Sequence, residues 1–165
     1  MRYKILSLFA AVALLSACET ASSGGAGGAG SAKSQSFTSP IVKSGTQQDL
    51  VVNVGDRVFF DFDKYNLDGA ARKSLEKQAA WMKANPSVTV QVAGHADERG
   101  TREYNLALGD RRANSVKDYL GSLGVNPSRV DTISYGKERP VATGSNEAAW
   151  KQNRRSVTKV TGAGS

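Results

Sequence analysis

A run of charged side chains in the middle of the chain has the residue types needed to bind a small zwitterion. Asp97, Glu98 and Arg99 lie in a polar segment, and the helical pattern that follows it carries Arg111 and Arg112. Carboxylates bind ammonium groups, and the arginine fork binds a carboxylate through two parallel hydrogen bonds. Acids in a loop that faces a helix arginine therefore suit a ligand that carries both charges.

Helical phase separates the two arginines. The buried stripe of their helix is predicted by five small or apolar residues at helical spacing: Leu106, Gly109, Ala113, Val116 and Leu120. At about 100° per residue, Arg111 lies almost opposite this stripe and Arg112 lies on its shoulder. A shoulder arginine can lay its stem on the core and present its guanidinium at the edge. We expect Arg112 to be the ligand candidate, although the residues alone leave open whether it binds a ligand or an internal acid.

Other kinds of site find little support. His95 is the only histidine and Cys18 the only cysteine, so we expect no catalytic triad, no metal and no cofactor. We expect His95 to form hydrogen bonds within the loop. A hydrolase that uses Asp97 or Glu98 is the alternative, but neighbouring carboxylates more often point apart than across one bond. The net charge is +7, with basic residues scattered among acids, which argues against a nucleic-acid partner.

Strand and helix patterns alternate along the chain, which favours a sheet covered by helices. Alternating apolar residues predict strands at residues 50–54, 58–62, 88–93, 130–135 and 155–161. Helical spacing predicts one long helix over residues 67–84, a second that carries the two arginines, and a short helix over residues 146–153. In the first of these helices Asp68 is the expected cap, and the stripe consists of Ala71, Leu75, Gln78, Ala79 and Met82.

The N-terminal region reads as a targeting segment and a tether. Arg2 and Lys4 precede an apolar run that is too short to span a membrane, so residues 1–17 are expected to be a signal peptide. Leu15-Ser16-Ala17-Cys18 resembles a bacterial lipobox, which implies acylation of Cys18, and Glu19 suggests sorting to the outer membrane. Residues 18–45 are rich in Gly, Ser and Ala, a composition that predicts a flexible, disordered linker.

Residues 56–160 resemble the OmpA-like peptidoglycan-binding domain family. The motifs that carry this resemblance are Phe60-Asp61-Phe62-Asp63, the run DERGT at 97–101, RAxxV from Arg112, SYGKERP at 134–140 and NRR at 153–155. The resemblance implies an α/β (α+β) fold over residues 46–165, with two layers in which a mixed four-stranded sheet packs against two long helices.

The resemblance also implies a site and a ligand. In the family an aspartate and an arginine, here Asp97 and Arg112, hold the diaminopimelate of a peptidoglycan stem peptide. Six further positions match the family's pocket: Phe62, Asp63, Arg99, Thr101, Asn105 and Leu108. Asp63 and Thr101 are equally suited to be a turn residue and a helix cap. Arg112 would lie about 16 Å below a cap at Thr101, so either the loop folds back along the helix or the helix begins late.

The implied function is attachment. A lipoprotein of this family would be attached to the outer membrane by its lipid anchor, with its domain in the periplasm. It would bind peptidoglycan without catalysis, whereas in the alternative a hydrolase on the same anchor would cleave peptidoglycan. The resemblance further implies docking to the Tol proteins of the periplasm, and with it a part in envelope integrity and cell division.

Overall fold

The computed structural model describes residues 42–162. Four strands form one mixed sheet: β1 (Arg57–Phe59), β2 (Thr89–His95), β3 (Val130–Gly136) and β4 (Arg155–Gly162). Their order is β1-β4-β2-β3, with β2 and β3 parallel and the other two pairs antiparallel. The expected mixed four-stranded sheet is therefore confirmed, and the last strand of the chain lies inside it.

The two long helices, α2 (Gly69–Ala84) and α3 (Arg102–Ser122), enclose the core with the sheet. Each begins at a side-chain cap, because Asp68 accepts from the Ala71 amide at 2.7 Å and Thr101 from the Tyr104 amide at 3.2 Å. All five predicted stripe residues of α2 are buried. The core between helices and strands includes Leu75, Met82, Val90, Val92, Val116 and Leu120.

The strand predicted at residues 50–54 is wrong. The chain instead forms a short helix, α1 (Gln47–Asp49), followed by a π-helical turn over Leu50–Val54. The buried Asp49 carboxylate accepts from Trp81 Nε1 at 2.7 Å and from the Gly45 amide at 3.0 Å, which fixes this segment against α2. Leu50 is buried while Val52 is 64% exposed, so the valine alternation has no counterpart in burial.

The first predicted strand after that turn is shorter than expected. Strand β1 ends at Phe59, and Phe60 instead exchanges backbone contacts with Arg154, whose carbonyl accepts from the Phe60 amide at 3.0 Å. The chain then turns through Asp63, which has a positive φ of 57°. Residues 61–65 consequently lie outside the sheet and form one wall of the cavity described below.

Helix α3 reaches the sheet through two glycines. A Cβ on Gly94 of β2 would overlap the backbone of Gly109, and one on Gly109 would lie 2.9 Å from the Gly94 carbonyl oxygen. Four of the five predicted stripe residues of α3 are buried: Gly109, Ala113, Val116 and Leu120. Leu106, predicted in the buried stripe, is 42% exposed, whereas Asn105 and Arg112 are buried.

The remaining elements are a 3₁₀ turn at Pro127–Arg129 and a short helix, α4 (Glu147–Asn153), close to the predicted 146–153. Among residues 42–162, no helix has the length and apolarity that crossing a membrane requires. The expected signal peptide, the acylation of Cys18 and nearly all of the linker fall outside the described residues.

Candidate functional site

A cavity of about 200 Å³ opens where β2 ends, between the turn after β1, the loop after β2 and helix α3. Its lining combines charged, aromatic and aliphatic side chains from these three segments: Phe62, Asp63, Ala96, Asp97, Arg99, Gly100, Tyr104, Asn105, Leu108 and Arg112. Seven of the eight side chains expected in a ligand site thus surround one cavity. The eighth, Thr101, is occupied as the cap of α3.

The loop folds back, and the helix does not begin late. Helix α3 starts at Arg102, directly after its cap, and runs back over β2. Arg112 Nη1 consequently donates to the carbonyl oxygen of His95 at 2.7 Å, at the end of that strand. Asp97 follows His95 by two residues. The aspartate and the arginine therefore both line the cavity, although fifteen positions separate them in the sequence.

Asp97 is a buried carboxylate held by two arginines. Arg99 donates from Nη2 to Oδ2 at 2.7 Å, and Arg154 donates from Nη1 to the same oxygen at 3.3 Å. Burial alone would raise the pKa of Asp97, but the hydrogen bonds from Arg99 and Arg154 outweigh it and hold that pKa below its ordinary value. Asp97 is therefore an anion at neutral pH.

Arg112 is fully buried and bonds backbone rather than an internal acid. Its Nε, Nη1 and Nη2 donate to the carbonyl oxygens of Lys64 at 2.8 Å, His95 at 2.7 Å and Asp61 at 3.1 Å. Burial lowers its pKa to about 10, so it stays a cation at neutral pH. Within residues 42–162 it forms no ion pair, and a guanidinium with five N–H donors keeps two beyond these three bonds.

Arg99 covers the mouth of the cavity. Its guanidinium carbon lies 4.0 Å from the ring centroids of both Phe62 and Trp150. Its side chain is 31% exposed, compared with 5% for that of Arg154. Arg154, with Nη2 at 2.6 Å from Glu147 Oε1 as well, is thus the buried support of Asp97, and Arg99 is the partner that faces solvent.

The remaining predicted positions have distinct local roles. Asp63 accepts a hydrogen bond from the Tyr104 hydroxyl, which raises the pKa of Tyr104. Asn105 is buried and donates from Nδ2 to the Arg99 carbonyl oxygen at 2.9 Å, holding the loop against α3. Leu108 is buried and supplies aliphatic surface.

Two contributors were missed from the sequence, Tyr104 and Arg154. Tyr104 stands three residues after the cap Thr101, and this spacing to a helix start was its only local signal. Arg154 lies in the NRR motif and is expected from the sequence to be structural or partner-facing, and its position beside Asp97 and Glu147 depends on how β4 enters the sheet.

Asp97 and Glu98 lack the properties that the alternative, a hydrolase, would need. A general acid needs a carboxyl pKa raised toward neutrality, whereas the pKa values of both Asp97 and Glu98 are lowered. Glu98 accepts from Trp150 Nε1 at 2.9 Å and does not line the cavity. Within the described part of the chain no three His, Cys, Asp or Glu side chains are grouped as a metal site requires.

Because His95 is buried with a lowered pKa, we expect the stability of the fold to depend on pH. His95 ends β2 rather than lying in the loop, and burial, with Arg155 and Arg139 nearby, lowers its pKa to about 4 from 6.5. Between these values the imidazole is protonated in the unfolded chain and neutral in the fold, so stability falls as the pH falls. We expect the free energy of unfolding to be about 2 kcal/mol lower at pH 5 than at pH 7.5.

Urea unfolding at several pH values measures this dependence, and the variant His95→Gln is its control. Most carboxylates titrate below this pH window, so the variant should lose most of the slope between pH 5 and 7.5. Equal slopes in the two proteins would contradict the assignment to His95.

Known proteins share this architecture and sequence. A sequence model of the OmpA family matches residues 59–154. A peptidoglycan-associated lipoprotein of Agrobacterium fabrum is 56% identical over 120 residues, covering 73% of this chain and 68% of the relative. Another, of Pasteurella multocida, is 42% identical over 154 residues, covering 93% and 95%. The crystal structure of the peptidoglycan-associated lipoprotein from Burkholderia pseudomallei matches with a TM-score of 0.63 at 42% identity, covering 64% of this chain and 90% of that one. The chain belongs to the OmpA family.

Proposed function

We propose that this protein binds peptidoglycan non-covalently, through the diaminopimelate of the stem peptide, in the cavity at the end of β2. The observation that carries the proposal is that one cavity holds a buried anion, Asp97, and a buried cation, Arg112, that do not pair with each other. Relatives at 42–56% identity bear the name peptidoglycan-associated lipoprotein, which supports the same ligand.

The charges suit an amino acid centre at the end of an aliphatic chain. Asp97 would accept hydrogen bonds from the ammonium group, and the two free N–H groups of Arg112 would donate to the carboxylate. Leu108 and Phe62 would contact the methylene groups of the ligand. A carboxylate has about four lone-pair positions, and on Asp97 they are taken by three bonds from Arg99 and one from Arg154. The ligand ammonium group would therefore replace a bond from Arg99 while Arg154 remains bonded.

The site residues in this proposal are those expected from the sequence: Asp97, Arg112, Phe62, Asp63, Arg99, Asn105 and Leu108 around the ligand, with Thr101 as the cap that starts α3. Arg99 would also have to give up a bond to Asp97 when the ligand binds. Because Arg99 faces solvent and bonds Asp97, an incoming ammonium group would compete with it for the carboxylate.

The binding domain would act as one end of a tether. The proposal takes residues 1–17 as a lipoprotein signal peptide, Cys18 as the acylated residue, residues 18–45 as a flexible linker and residues 46–165 as the domain. Two or more acyl chains anchor a protein stably, whereas one does not. In the proposed role the lipid anchor lies in the outer membrane and the domain in the periplasm. There the domain would also dock to Tol proteins, and so take part in envelope integrity and cell division.

Asp97→Asn tests the ligand site with little change of shape. We expect this variant to bind purified sacculi at least about tenfold more weakly, because an amide does not offer the charge that an ammonium group requires. Co-sedimentation of the full-length protein with sacculi measures the binding. Free diaminopimelate should displace the wild type in the same assay.

The matched control is Asp131→Asn, at an exposed position of β3 outside the cavity. It should sediment as the wild type does, and thermal unfolding should show both variants folded at the assay temperature. Equal sedimentation of folded Asp97→Asn and wild type would refute the site. Release of muropeptides from the sacculi would favour the hydrolase over a binding protein.

A further inference from the structure

The face of the sheet turned away from α2 and α3 carries a second recess, which we name the basic groove. Its volume is about 410 Å³. Five basic or imidazole side chains define it, drawn from β1, β2, β4 and the loop after β3: Arg57, His95, Arg139, Arg155 and Lys159. Its uncharged walls include Ala93, Tyr135, Pro140, Val141 and Val157.

Strand alternation places these side chains opposite the helices. Ser156 and Thr158 of β4 are buried on the helix side, where Thr158 Oγ1 contacts Gln78 of α2 at 2.9 Å. Their neighbours Arg155 and Lys159 therefore point to the other face. The groove is thus separate from the cavity that holds Asp97, although the adjacent residues Arg154 and Arg155 serve one site each.

Arg155 is a buried cation that forms no ion pair within residues 42–162, and the acid that acts on it, Asp56, is bonded to Arg57. Arg155 is 7% exposed, and its contacts are long ones to the carbonyl oxygens of Asn153 at 3.4 Å and Arg139 at 3.2 Å. Its neighbour Arg154, equally buried, meets both Asp97 and Glu147. A buried guanidinium that lacks a carboxylate is costly, and burial together with Arg57 lowers the pKa of Arg155.

The rest of the groove does not supply the missing anion. Asp56 is already paired with Arg57, Nε to Oδ1, at 2.8 Å. Across residues 42–162, neither Arg139 nor Lys159 forms an ion pair. Arg139 instead stacks on the Tyr135 ring at 3.7 Å.

A second buried polar group lies beside Arg155. Among the residues that the structure describes, Nδ1 of His95 has no hydrogen-bond partner, and the residue is 5% exposed. Unsatisfied buried polar atoms are rare in proteins and often mark a missing ligand or water. At the bottom of the basic groove, His95 and Arg155 thus both have polar groups that a ligand could bind.

We propose that the basic groove binds an acidic, extended segment of a partner protein, with glutamate or aspartate side chains bound by Arg155 and by Lys159. These two residues stand four apart on β4, so their side chains emerge about 13 Å apart. Acids at the first and fifth positions of an extended peptide have the same spacing, so each acid could meet one of the two cations without either side chain bending toward the other. Val157 between them offers an apolar surface to the central residue.

The chain itself offers no such segment before its domain. Residues 1–41 contain one acid, Glu19, against the basic Arg2, Lys4 and Lys33. Charge complementarity therefore favours a different protein as the occupant.

A blocked five-residue peptide, with glutamate at both ends and Thr-Val-Thr between them, is the probe. Added to the full-length protein in detergent, it should shift the NMR signals of the β2 and β4 amides and of the Arg155 Nε–H. The same peptide with glutamine at both ends should leave these signals in place. Lys159→Gln should weaken binding of the acidic peptide at least about threefold, because it removes one of the two cations that bind the acids. Since Lys159 is exposed, losing its charge should leave the sheet folded.

The matched control is Lys73→Gln, an exposed lysine on α2 away from the groove, which should bind the peptide as the wild type does. Lys159→Gln should also still sediment with sacculi, since Lys159 lies outside the cavity. Inorganic phosphate that shifts the same signals as tightly as the peptide would overturn the proposal in favour of a small-anion site. Absence of shifts with the acidic peptide would overturn it as well.

Discussion

Replacing Gly94 by alanine should lower the free energy of unfolding by about 3 kcal/mol and abolish binding to sacculi. An added Cβ would overlap the carbonyl group of Gly109, which is backbone of α3 and cannot rotate away. Over-packing of a tight interior costs about 1–3 kcal/mol and more where backbone must move. Helix α3 would be pushed from β2, and Arg112 would lose its bond to the His95 carbonyl oxygen.

Urea unfolding gives the stability change, and Gly69→Ala is the matched control. Gly69 begins α2, and nothing lies within 4 Å of an added Cβ there. Alanine at that position should leave stability unchanged or raise it by up to about 1 kcal/mol. A Gly94→Ala protein as stable as the Gly69→Ala protein would show that the contact between the two glycines is not needed.

Helix α2 shows what local pattern can predict. Its stripe, its cap Asp68 and its end at Ala84 all agree with the sequence interpretation. Each of these features depends on residues within four or five positions of one another, and the buried stripe faces an apolar core. Local spacing is then sufficient, because the distant hydrogen bonds of α2, from Trp81 to Asp49 and between Gln78 and Thr158, hold the helix in place without changing its conformation.

The segment Leu50–Val54 shows where local pattern fails. Its valines favour a strand, but Thr46 caps a helix just before it, and Asp49 accepts from Trp81, 32 positions away in sequence. The tertiary bond overrides the local preference of β-branched residues for strands. Nothing in the alternation of this segment reports a partner on α2.

Helix α3 shows both outcomes at the site itself. Phase analysis correctly separated Arg111 from Arg112, yet it placed Leu106 in the core and Arg112 only at its shoulder. The inward face of α3 includes polar residues because these bond the backbone of neighbouring segments. Apolar counting cannot register such residues, nor the glycine contact that sets how close the helix lies to β2.

Replacing Arg112 by methionine should lower the free energy of unfolding by about 3–5 kcal/mol and eliminate sacculus binding. Methionine fills similar space but leaves the carbonyl oxygens of Asp61, Lys64 and His95 without their donor. Each buried acceptor that loses its donor costs about 1–3 kcal/mol, and three of them are affected here. Arg112→Lys keeps the charge but cannot bond three carbonyls in one plane, so we expect a smaller loss of stability.

Arg111→Met is the control that separates the two adjacent arginines. Arg111 is exposed and lies over Tyr65 and Tyr104 at 5.6 Å and 6.0 Å, contacts worth about 0.5–1 kcal/mol at such a position. Its variant should therefore unfold within about 1 kcal/mol of the wild type and still sediment with sacculi. The Arg112 variants are assayed at a temperature where circular dichroism shows them folded, so that lost binding reports the missing guanidinium. A folded Arg112→Met protein that sediments like Arg111→Met would remove Arg112 from the ligand site, whatever its stability.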